Sequence, residues 1–509
     1  MPRYAALDIG SNSIRMMAAE VTGQEPMKNL AAEREVVRLG TSVFREGKLS
    51  RPSIDLGCEV LTRMAAIYRK LDVQAVRAVA TSALRDASNQ SEFLERAASI
   101  LGIPVEVISG LEEARLIHLG VQTRWPNPNQ RLLILDIGGG SAELILSEGG
   151  HMADAYSRPL GAVRLTEMFL KSDPADEREL ARMAKYIQDR LAGPAAHLAS
   201  KKVDRMIATS ATAAAVVCAV NHVRRSRRDK ADRLSATAPQ VRQLLREVST
   251  KNLNGRCKIT GIGPSRAEIV TAGVAVLHEV MQRLKVPRLY YSTAGLRDGI
   301  LADMAHRKAG MEQARLNADE RQIVRALGRR FEAAVPHTRK VADVSAVLFE
   351  GLRDLHRLPL NRGRLLEAAA YLYNIGHYVN EAKHHRHSMY LVANSDLPGF
   401  TDAERMIVAN LCRYHRKSMP QASHEPFLAL VPEERRTVQF LAPLLRLAVA
   451  LDQSQEQRVE RVECVIGTES VELRLFSNRD VDIEQWHAAQ VADVFREVYG
   501  RPLVVRTKR

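Results

Sequence analysis

The sequence predicts an α/β protein with two similar α/β subdomains that face each other across a cleft, followed by a helical domain and a small C-terminal α/β domain. Three observations support this fold class. Short apolar and β-branched runs alternate with amphipathic stretches over residues 1–300, as in layered strands and helices. One strand–turn–strand segment occurs twice in this part of the chain. Residues 306–456 have long helical periodicities, and strand alternation returns only in the tail.

We predict four domains: subdomain I at 1–125, subdomain II at 126–305, the helical domain at 306–456 and the C-terminal domain at 457–509. The chain length agrees with this division. A chain of 509 residues exceeds what one hydrophobic core usually supports, and domains average roughly 150 residues.

The composition is that of a globular enzyme with a polyanionic partner. Hydrophobic residues make up 46% of the chain and charged residues 26%. Lys and Arg outnumber Asp and Glu by 74 to 59, and the net charge of +15 favours nucleic acid, acidic lipid or a phosphate polymer. Because aromatic residues are only 5%, base stacking has little to work with, and we predict no specific nucleic-acid partner.

The sequence carries no signal for secretion or membrane insertion. Asp8 interrupts the N-terminal apolar run, and the longest uncharged apolar run, 211–220, is about half of the ~20 residues that a membrane span needs. The five cysteines are scattered without a CxxC pair, so neither a disulfide framework nor a zinc knuckle is indicated. We therefore predict a cytoplasmic protein without a membrane partner.

The internal repeat aligns Tyr4–Arg15 with Leu132–Glu143 when Asp8 is set on Asp136, 128 residues later. Each copy is an apolar strand ending in Asp-Ile-Gly, a tight polar turn and a second strand. Glycine and serine let successive backbone N–H groups of such a turn point at one spot, which suits a phosphate group. An ordinary hairpin turn explains one copy, but it would not also repeat the strand and the carboxylate. The predicted phosphate-binding residues of the two turns are Ser11, Asn12, Ser13, Arg15, Gly138, Gly139, Gly140 and Ser141.

Two carboxylates, Asp136 and Glu143, bracket the glycine turn of the second copy. Hard oxygen ligands beside bound phosphate suit Mg²⁺, and we predict both as metal-site residues. The first copy has Arg15 at the position of Glu143, so that one turn adds positive charge. A solvated surface pair is the alternative for Arg15 and Glu143, because charges at strand ends are usually exposed.

A second motif, Ser109-Gly-Leu-Glu-Glu, predicts a helix start that carries a catalytic carboxylate. Ser109 and Glu112 have the spacing of a capping box. Glu113 instead shares a helix face with Leu116 and Ile117. A carboxylate on an apolar stripe near a phosphate site should have a raised pKa and act as a general base. The alternative is a helix-start glutamate favoured by the helix dipole.

Three strand-to-helix turns suggest further anion contacts. Arg85 lies in or near the predicted first turn of a helix capped by Thr81 or Ser82, where a cation is unfavourable unless an anion is nearby. The same pattern recurs at Ser210 and around Arg297. We therefore add Arg85 to the catalytic residues and Ser210 to the phosphate-binding residues. N-caps alone would also explain these turns.

With these residues assembled, the chain resembles the exopolyphosphatase / guanosine pentaphosphate phosphatase family of the actin-like, sugar-kinase-like ATPase superfamily, whose subdomains are ribonuclease H-like. The segments DIGSNSIR, TSALR, SGLEEARL, DIGGGSAEL, ATSAT and GLRDGI stand in the family's order and spacing. The resemblance implies that Glu113 activates water, that Asp136 holds magnesium with Glu143 close to the metal, and that Arg85 neutralises the phosphoryl group held by the two turns.

The helical domain resembles HD phosphohydrolases but departs from their metal motif. His337 and Asp452 stand where the outer ligands would be, whereas the central His-Asp pair is Tyr373-Asn374. Tyrosine and asparagine do not replace that pair, so we expect no working metal site here, although His384, His385 and His387 lie nearby. We interpret the basic residues as a strip along which polyphosphate runs, with a solvated helix face as the alternative. The strip consists of Arg386, Arg413, His415, Arg416 and Lys417.

A further basic run, residues 222–228, either guides the polymer or is a solvated loop. The sequence as a whole predicts an exopolyphosphatase that releases terminal phosphate processively from inorganic polyphosphate, with Mg²⁺ as cofactor and a homodimer as the assembly. The alternatives are a guanosine pentaphosphate 5′-phosphohydrolase and a non-catalytic sensor of alarmone or polyphosphate.

Overall fold

The structure is a computed structural model that describes residues 1–21, 27–126, 129–307, 313–421 and 423–508. The chain divides into two compact units, residues 1–310 and residues 311–509. The finer predicted boundaries, at 125/126 and 456/457, stay predictions.

The first unit alternates strands and helices. Its strands are β1 (Arg3–Ile9), β2 (Ser13–Glu20), β3 (Lys28–Val36), β4 (Ala75–Ala80), β5 (Val105–Val107), β6 (Leu132–Ile137), β7 (Ala142–Glu148), β8 (His151–Arg158), β9 (Arg205–Thr209), β10 (Ser235–Thr237) and β11 (Arg288–Tyr291). Its helices are α1 (Leu39–Glu46), α2 (Arg51–Arg69), α3 (Ser82–Asp86), α4 (Gln90–Leu101), α5 (Gly110–Arg124), α6 (Ala162–Phe169), α7 (Glu177–Ala199), α8 (Ser210–Val220), α9 (Ala238–Thr250), α10 (Leu253–Cys257), α11 (Pro264–Ala267), α12 (Val270–Arg283) and α13 (Leu296–His306), with a 3-10 helix at Arg225–Ala231.

Two sheets form the frame of this unit, with strand orders β3-β2-β1-β4-β5 and β10-β11-β9-β6-β7-β8. In each sheet an antiparallel hairpin, β1–β2 or β6–β7, is followed by a parallel neighbour, β4 or β9. Asp8 pairs with Arg15 across the first hairpin, and Asp136 pairs with Glu143 across the second. The sequence repeat is therefore also a repeat of strand register, and the fold is of the actin-like ATPase type, as predicted.

Local sequence explains the elements that position the site. Five of the six residues of β6 are apolar and the sixth is Asp136. All six are buried, as in a central strand covered on both faces. Helix α8 is hydrophobic on every side and accordingly almost entirely buried. Helix α5 begins at its predicted cap, where the Ser109 hydroxyl accepts a hydrogen bond from Glu112 N at 3.2 Å.

Helices α5 and α13 cross with their backbones in contact. A Cβ atom on Gly299 would lie 1.7 Å from Leu116 O, and one on Gly120 would lie 2.1 Å from Gly295 O, so only glycine fits at both positions. Helix α5 follows the first sheet along the chain but packs on β7 and β8, whereas α13 follows the second sheet but packs on β1. The crossing thus joins the two halves of the unit.

The second unit consists of helices and one small sheet. Its elements are α14 (Ala318–Arg330), α15 (Val335–Gly351), α16 (Arg353–His356), α17 (Arg362–Leu372), a 3-10 helix (Ile375–Tyr378), α18 (His384–Ala393), α19 (Asp402–Tyr414), α20 (Glu425–Leu428), α21 (Pro432–Ala450), β12 (Arg461–Ile466), β13 (Val471–Phe476), α22 (Asp482–Ala489), α23 (Ala492–Tyr499) and β14 (Leu503–Lys508). The sheet order is β12-β13-β14. Within the part of the chain that the structure describes, no helix combines the length and the apolar character that a membrane span requires.

In the second unit, His337, Asp452 and Tyr373 form a buried hydrogen-bonded triad. His337 Nδ1 lies 2.8 Å from Asp452 Oδ2, and the other ring nitrogen of His337 is hydrogen-bonded to the Tyr373 hydroxyl. Burial and the Asp452 charge raise the pKa of Tyr373, so its hydroxyl keeps its proton. Tyr373 thus occupies the ring nitrogen that a metal would need.

Candidate active site

The turns of the two repeats meet face to face. In each turn the glycine after Asp-Ile donates a backbone hydrogen bond across the turn, Gly10 N to Ser13 O at 3.2 Å and Gly138 N to Ser141 O at 3.0 Å. A Cβ atom on Gly139 would lie 3.0 Å from Ser11 Cβ. The glycines therefore leave room for the opposing turn as well as for a ligand.

A polar cavity of about 120 Å³ lies between the turns. Glu113 and Asp136 line it together with all nine predicted phosphate-binding residues: Ser11, Asn12, Ser13, Arg15, Gly138, Gly139, Gly140, Ser141 and Ser210. Two further predicted residues, Arg85 and Glu143, do not line the cavity. Arg85 lies next to Glu113, and Glu143 is paired with Asp136 on the neighbouring strand.

Four buried carboxyl groups converge on this cavity. Burial raises the pKa of Glu113 to about 7, and the charges of Asp136 and Asp8 add to the shift while Arg85 opposes it. Burial also raises the pKa of Asp136 to about 7, against the opposing effect of Arg15. The pKa of Asp8 is raised by burial as well. The shift of Glu113 has the predicted direction and the predicted cause.

Glu143 is fully buried behind the cavity. Its Oε1 accepts a hydrogen bond from Ser157 Oγ at 2.8 Å, whereas its Oε2 has no hydrogen-bond partner among the described residues. Burial and the charges of Glu113 and Asp136 raise the pKa of Glu143 well above its usual value. An acidic group with an orphaned oxygen beside two other carboxyls fits a divalent cation, which would compensate their mutual repulsion.

The first turn also contains buried polar atoms whose hydrogen-bonding capacity is unsatisfied among the described residues. Across the described ranges, Ser11 Oγ and Asn12 Nδ2 are buried and make no hydrogen bond. Ser13 Oγ accepts a hydrogen bond from Arg15 Nε at 3.2 Å. Two unused donors at the cavity wall are the groups that an anionic oxygen would satisfy.

The structure changes the reasoning on two predicted residues. Arg85 lies near the first turn of α3, as predicted, but this helix has only five residues, so Arg85 is also in its last turn and its position needs no bound anion. Its guanidinium donates to Ile108 O at 2.5 Å and lies 3.5 Å from Glu113 Oε2. Ser210 has a left-handed φ of 73°, and its hydroxyl donates to Ile137 O at 2.8 Å, so that proton is not available to a phosphate.

Sequence reasoning noted Arg297 and the run that contains Arg228, but it missed two further arginines in and around the cavity, Arg34 and Arg266. Arg228, Arg266 and Arg297 line it beside Arg15. Burial, Arg34 and Arg15 lower the pKa of Arg266 well below its usual value, and burial and repulsion from Arg15 lower that of Arg34 to about 10. The lowered pKa values show that neighbouring positive charges and burial outweigh the stabilisation that nearby carboxylates give to Arg34 and Arg266. Arg228 belongs to the basic run 222–228, but Arg34 and Arg266 carry no motif.

The predicted basic strip lies in the second unit. Arg386, Arg416 and Lys417 are exposed and Arg413 is partly buried. His415 does not belong to an exposed strip, because it is buried and its Nδ1 lies 2.7 Å from Cys412 O. The role of the other four residues stays a prediction.

The topology and the paired turns define the class of the protein: its first unit has a fold of the actin-like ATPase type, with a phosphate-sized polar cavity between the two sheets' turns. The model of the Ppx/GppA phosphatase family matches residues 16–308, and that of Ppx/GppA phosphatase domain III matches residues 320–490. The chain belongs to the Ppx/GppA phosphatase family, and is thus a phosphatase.

Solved structures agree with this assignment. The Aquifex aeolicus member of the Ppx/GppA family is 28% identical, with a TM-score of 0.53, and the match covers 60% of this chain and 99% of that chain. An exopolyphosphatase from Cytophaga hutchinsonii is 25% identical, with a TM-score of 0.56, and the match covers 60% of this chain and 98% of that chain.

Proposed function

We propose that the protein is an exopolyphosphatase that releases orthophosphate from the end of inorganic polyphosphate. The observation that carries this proposal is the placement of Glu113. This carboxyl group is buried at the wall of the cavity between the two turns, and its pKa is about 7. A base with a pKa near the working pH is suited to taking a proton from water.

The residues of the chain divide the chemistry among them. The terminal phosphoryl group lies between the two turns, where Ser11 Oγ and Asn12 Nδ2 donate to its oxygens. Glu113 accepts a proton from a water molecule as that water attacks the terminal phosphorus. The bond from this phosphorus to its bridging oxygen breaks, and the shortened chain leaves with the negative charge. Arg15 stabilises charge on the transferred group, because phosphoryl transfer depends mainly on positioning and charge neutralisation.

The carboxyl groups present fit the predicted magnesium ion. Asp136 at the cavity wall and the orphaned oxygen of Glu143 would hold it, with Asp8 close by. When bound, the ion supplies positive charge to the phosphate oxygens.

The arginines favour a polyphosphate chain over a guanosine nucleotide. Mutually repelling cations around the cavity are best compensated by an anion with many charges in a row. Among the described residues that line the cavity, Tyr291 is the one aromatic side chain, and its hydroxyl lies 3.2 Å from the Arg228 guanidinium. Because Tyr291 is only 2% exposed, its ring offers almost no face on which a guanine base could stack.

The test is orthophosphate release from long-chain polyphosphate and from guanosine pentaphosphate, side by side, with Mg²⁺ and with EDTA. We expect magnesium-dependent release with a strong preference for polyphosphate. Faster turnover of guanosine pentaphosphate would identify a 5′-phosphohydrolase of that nucleotide instead. Binding of either compound without release would identify a sensor. The predicted homodimer stays a prediction, which light scattering of the purified protein would test.

A further inference from the structure

The first turn of α6 holds the second phosphate turn through the carbonyl groups of its glycines. Gly138 O accepts a backbone hydrogen bond from Ala162 N at 3.0 Å. Gly139 O accepts two, from Val163 N at 2.9 Å and from Arg164 N at 3.0 Å. Two successive carbonyl groups of the turn therefore point towards α6.

The side chain of Arg164 binds the third carbonyl group of this turn. Its Nε donates to Gly140 O at 2.7 Å, and such a hydrogen bond is strengthened by the charge of the guanidinium. Because the C=O and N–H of a trans peptide point in opposite directions, the N–H of Ser141 points away from Arg164. A positive charge at the carbonyl also polarises the peptide group, so that its N–H becomes a stronger donor to an anion. Gly140 and Ser141 line the cavity, whereas Arg164 is not among the described residues that do.

The same guanidinium reaches the half of the unit that contains the first sheet. Its Nη2 donates to Ser82 Oγ at 2.9 Å and also binds the Asp86 carboxylate, and both partners lie on α3. Ser82 directly follows Thr81, which lines the cavity. The Arg164 side chain is only 15% exposed. Arg164 therefore links a phosphate turn of one half to the cavity wall of the other half.

Phe44 on α1 fixes the orientation of this guanidinium. The guanidinium carbon of Arg164 lies 4.0 Å from the centroid of the Phe44 ring, as in a cation–π contact. The neighbouring backbone is packed equally closely, since a Cβ atom on Gly140 would lie 2.6 Å from Phe44 Cζ and 2.4 Å from Ser82 Oγ. The turn and the guanidinium are thus held between the same two helices, α1 and α3.

We propose that Arg164 is a positioning residue for phosphoryl transfer, a role that rests on the function proposed above. It holds the peptide group between Gly140 and Ser141 so that the Ser141 N–H donates to the terminal phosphoryl group. It also ties this turn to α3, so that the two halves close on that group together. A long chain is bound mainly by the arginines around the cavity, so the loss of Arg164 should lower kcat more than it raises KM.

The test is steady-state orthophosphate release by Arg164→Met, with Glu167→Gln as the matched control. Methionine keeps an apolar side chain against Phe44 but removes the charge and the donors. We expect kcat to fall about ten- to hundredfold, while KM for long-chain polyphosphate changes less than about threefold. Glu167→Gln breaks the ion pair with Arg45, which also joins α6 to α1 but does not reach the turn. This control should behave like the wild type.

A second variant, Asp86→Asn, removes only the ion pair with α3 and leaves the hydrogen bond to Gly140 O in place. Its kcat should fall about two- to fivefold, because a partly exposed ion pair contributes little. The double variant with Arg164→Met should be no slower than Arg164→Met alone, because both changes remove the same ion pair. Asp86 is exposed, so its substitution keeps the test valid even if Arg164→Met fails to fold, which circular dichroism checks.

Three outcomes would overturn the proposal. The first is a kcat of Arg164→Met within about twofold of the wild type. The second is a raised KM at unchanged kcat, and the third is the same kcat in Asp86→Asn and in the control. The proposed function is tested separately, because it depends on which substrate the wild type hydrolyses. The ratios of variant to wild type are measured on that substrate, whichever it is.

Discussion

Replacement of Glu113 by glutamine should abolish turnover and at the same time stabilise the protein above neutral pH. Glutamine keeps the size of the side chain but cannot accept the proton of the attacking water. Loss of a general base costs about 10²–10⁴-fold in rate, or about 3–5 kcal/mol of barrier. Binding of polyphosphate should change little, because Ser11, Asn12 and Arg15 are left in place.

The stability effect follows from the raised pKa. Below about pH 4.5 the Glu113 carboxyl is protonated in the folded and the unfolded chain alike. As the pH rises towards 7 the unfolded chain ionises first, so the folded state loses stability until Glu113 also ionises at a pKa of about 7. At 1.36 kcal/mol per pKa unit, the full loss is about 3 kcal/mol above pH 7. Glutamine does not ionise and removes this loss.

The assays are orthophosphate release, polyphosphate binding and thermal melting of Glu113→Gln at pH 5 and pH 8. The variant should melt higher than the wild type at pH 8, and the difference should shrink at pH 5. Glu148→Gln is the matched control, because Glu148 is a partly exposed carboxylate paired with Arg131 and should change neither rate nor melting. Turnover within tenfold of the wild type, or a lower melting temperature at pH 8, would refute the reasoning.

Three further predictions concern pH, charge and the triad of the second unit. First, kcat/KM for polyphosphate should fall as the pH is lowered through about 7, since Glu113 and Asp136 both have a pKa of about 7; a flat profile from pH 6 to 8 would contradict this. Second, Arg266→Met should raise KM roughly ten- to hundredfold while the melting temperature stays the same or rises, because a buried and uncompensated cation is removed. Kinetics and thermal melting of this variant, with Arg63→Met at an exposed position as the control, test this prediction. Third, Tyr373→Phe should cost about 1–3 kcal/mol in urea unfolding without changing phosphate release, since it leaves a ring nitrogen of buried His337 without a partner.

The sequence was most informative where a structural feature follows from a local pattern of residues. The register of Asp8 with Arg15 and of Asp136 with Glu143 follows directly from two copies of one strand–turn–strand segment. The raised pKa of Glu113 followed from its helix face. The strand register depends on neighbours within a few residues, and such neighbours are visible in the chain; the sequence predicted the direction of the Glu113 shift, but the contributions of Asp136, Asp8 and Arg85 to it come from the fold.

Features that depend on distant elements could not be predicted in this way. Arg34 on β3 and Arg266 on α11 approach each other only because the two sheets and their helices pack together. Arg85 lies in or near the first turn of α3, as predicted, but the sequence did not show that this helix has only five residues, so that the same position is also its last turn. Similarly, the hydroxyl of Tyr373 was recognised as a poor metal ligand, but its role as the hydrogen-bond partner of a distant histidine needed the fold.

The glycine crossing of α5 and α13 has a mechanical consequence for the enzyme. Because backbone touches backbone at Gly120 and Gly299, the two helices have no side chains there that could slide past one another. An ion pair between Arg115 and Asp303, with atoms 2.8 Å apart, holds the crossing from the side. Opening of the cavity would therefore rotate the two sheets about this point, as about a pivot. Glu113 lies one helical turn from Leu116, close to the axis of that rotation. The two phosphate turns would travel apart and together while the proton acceptor stays nearly still.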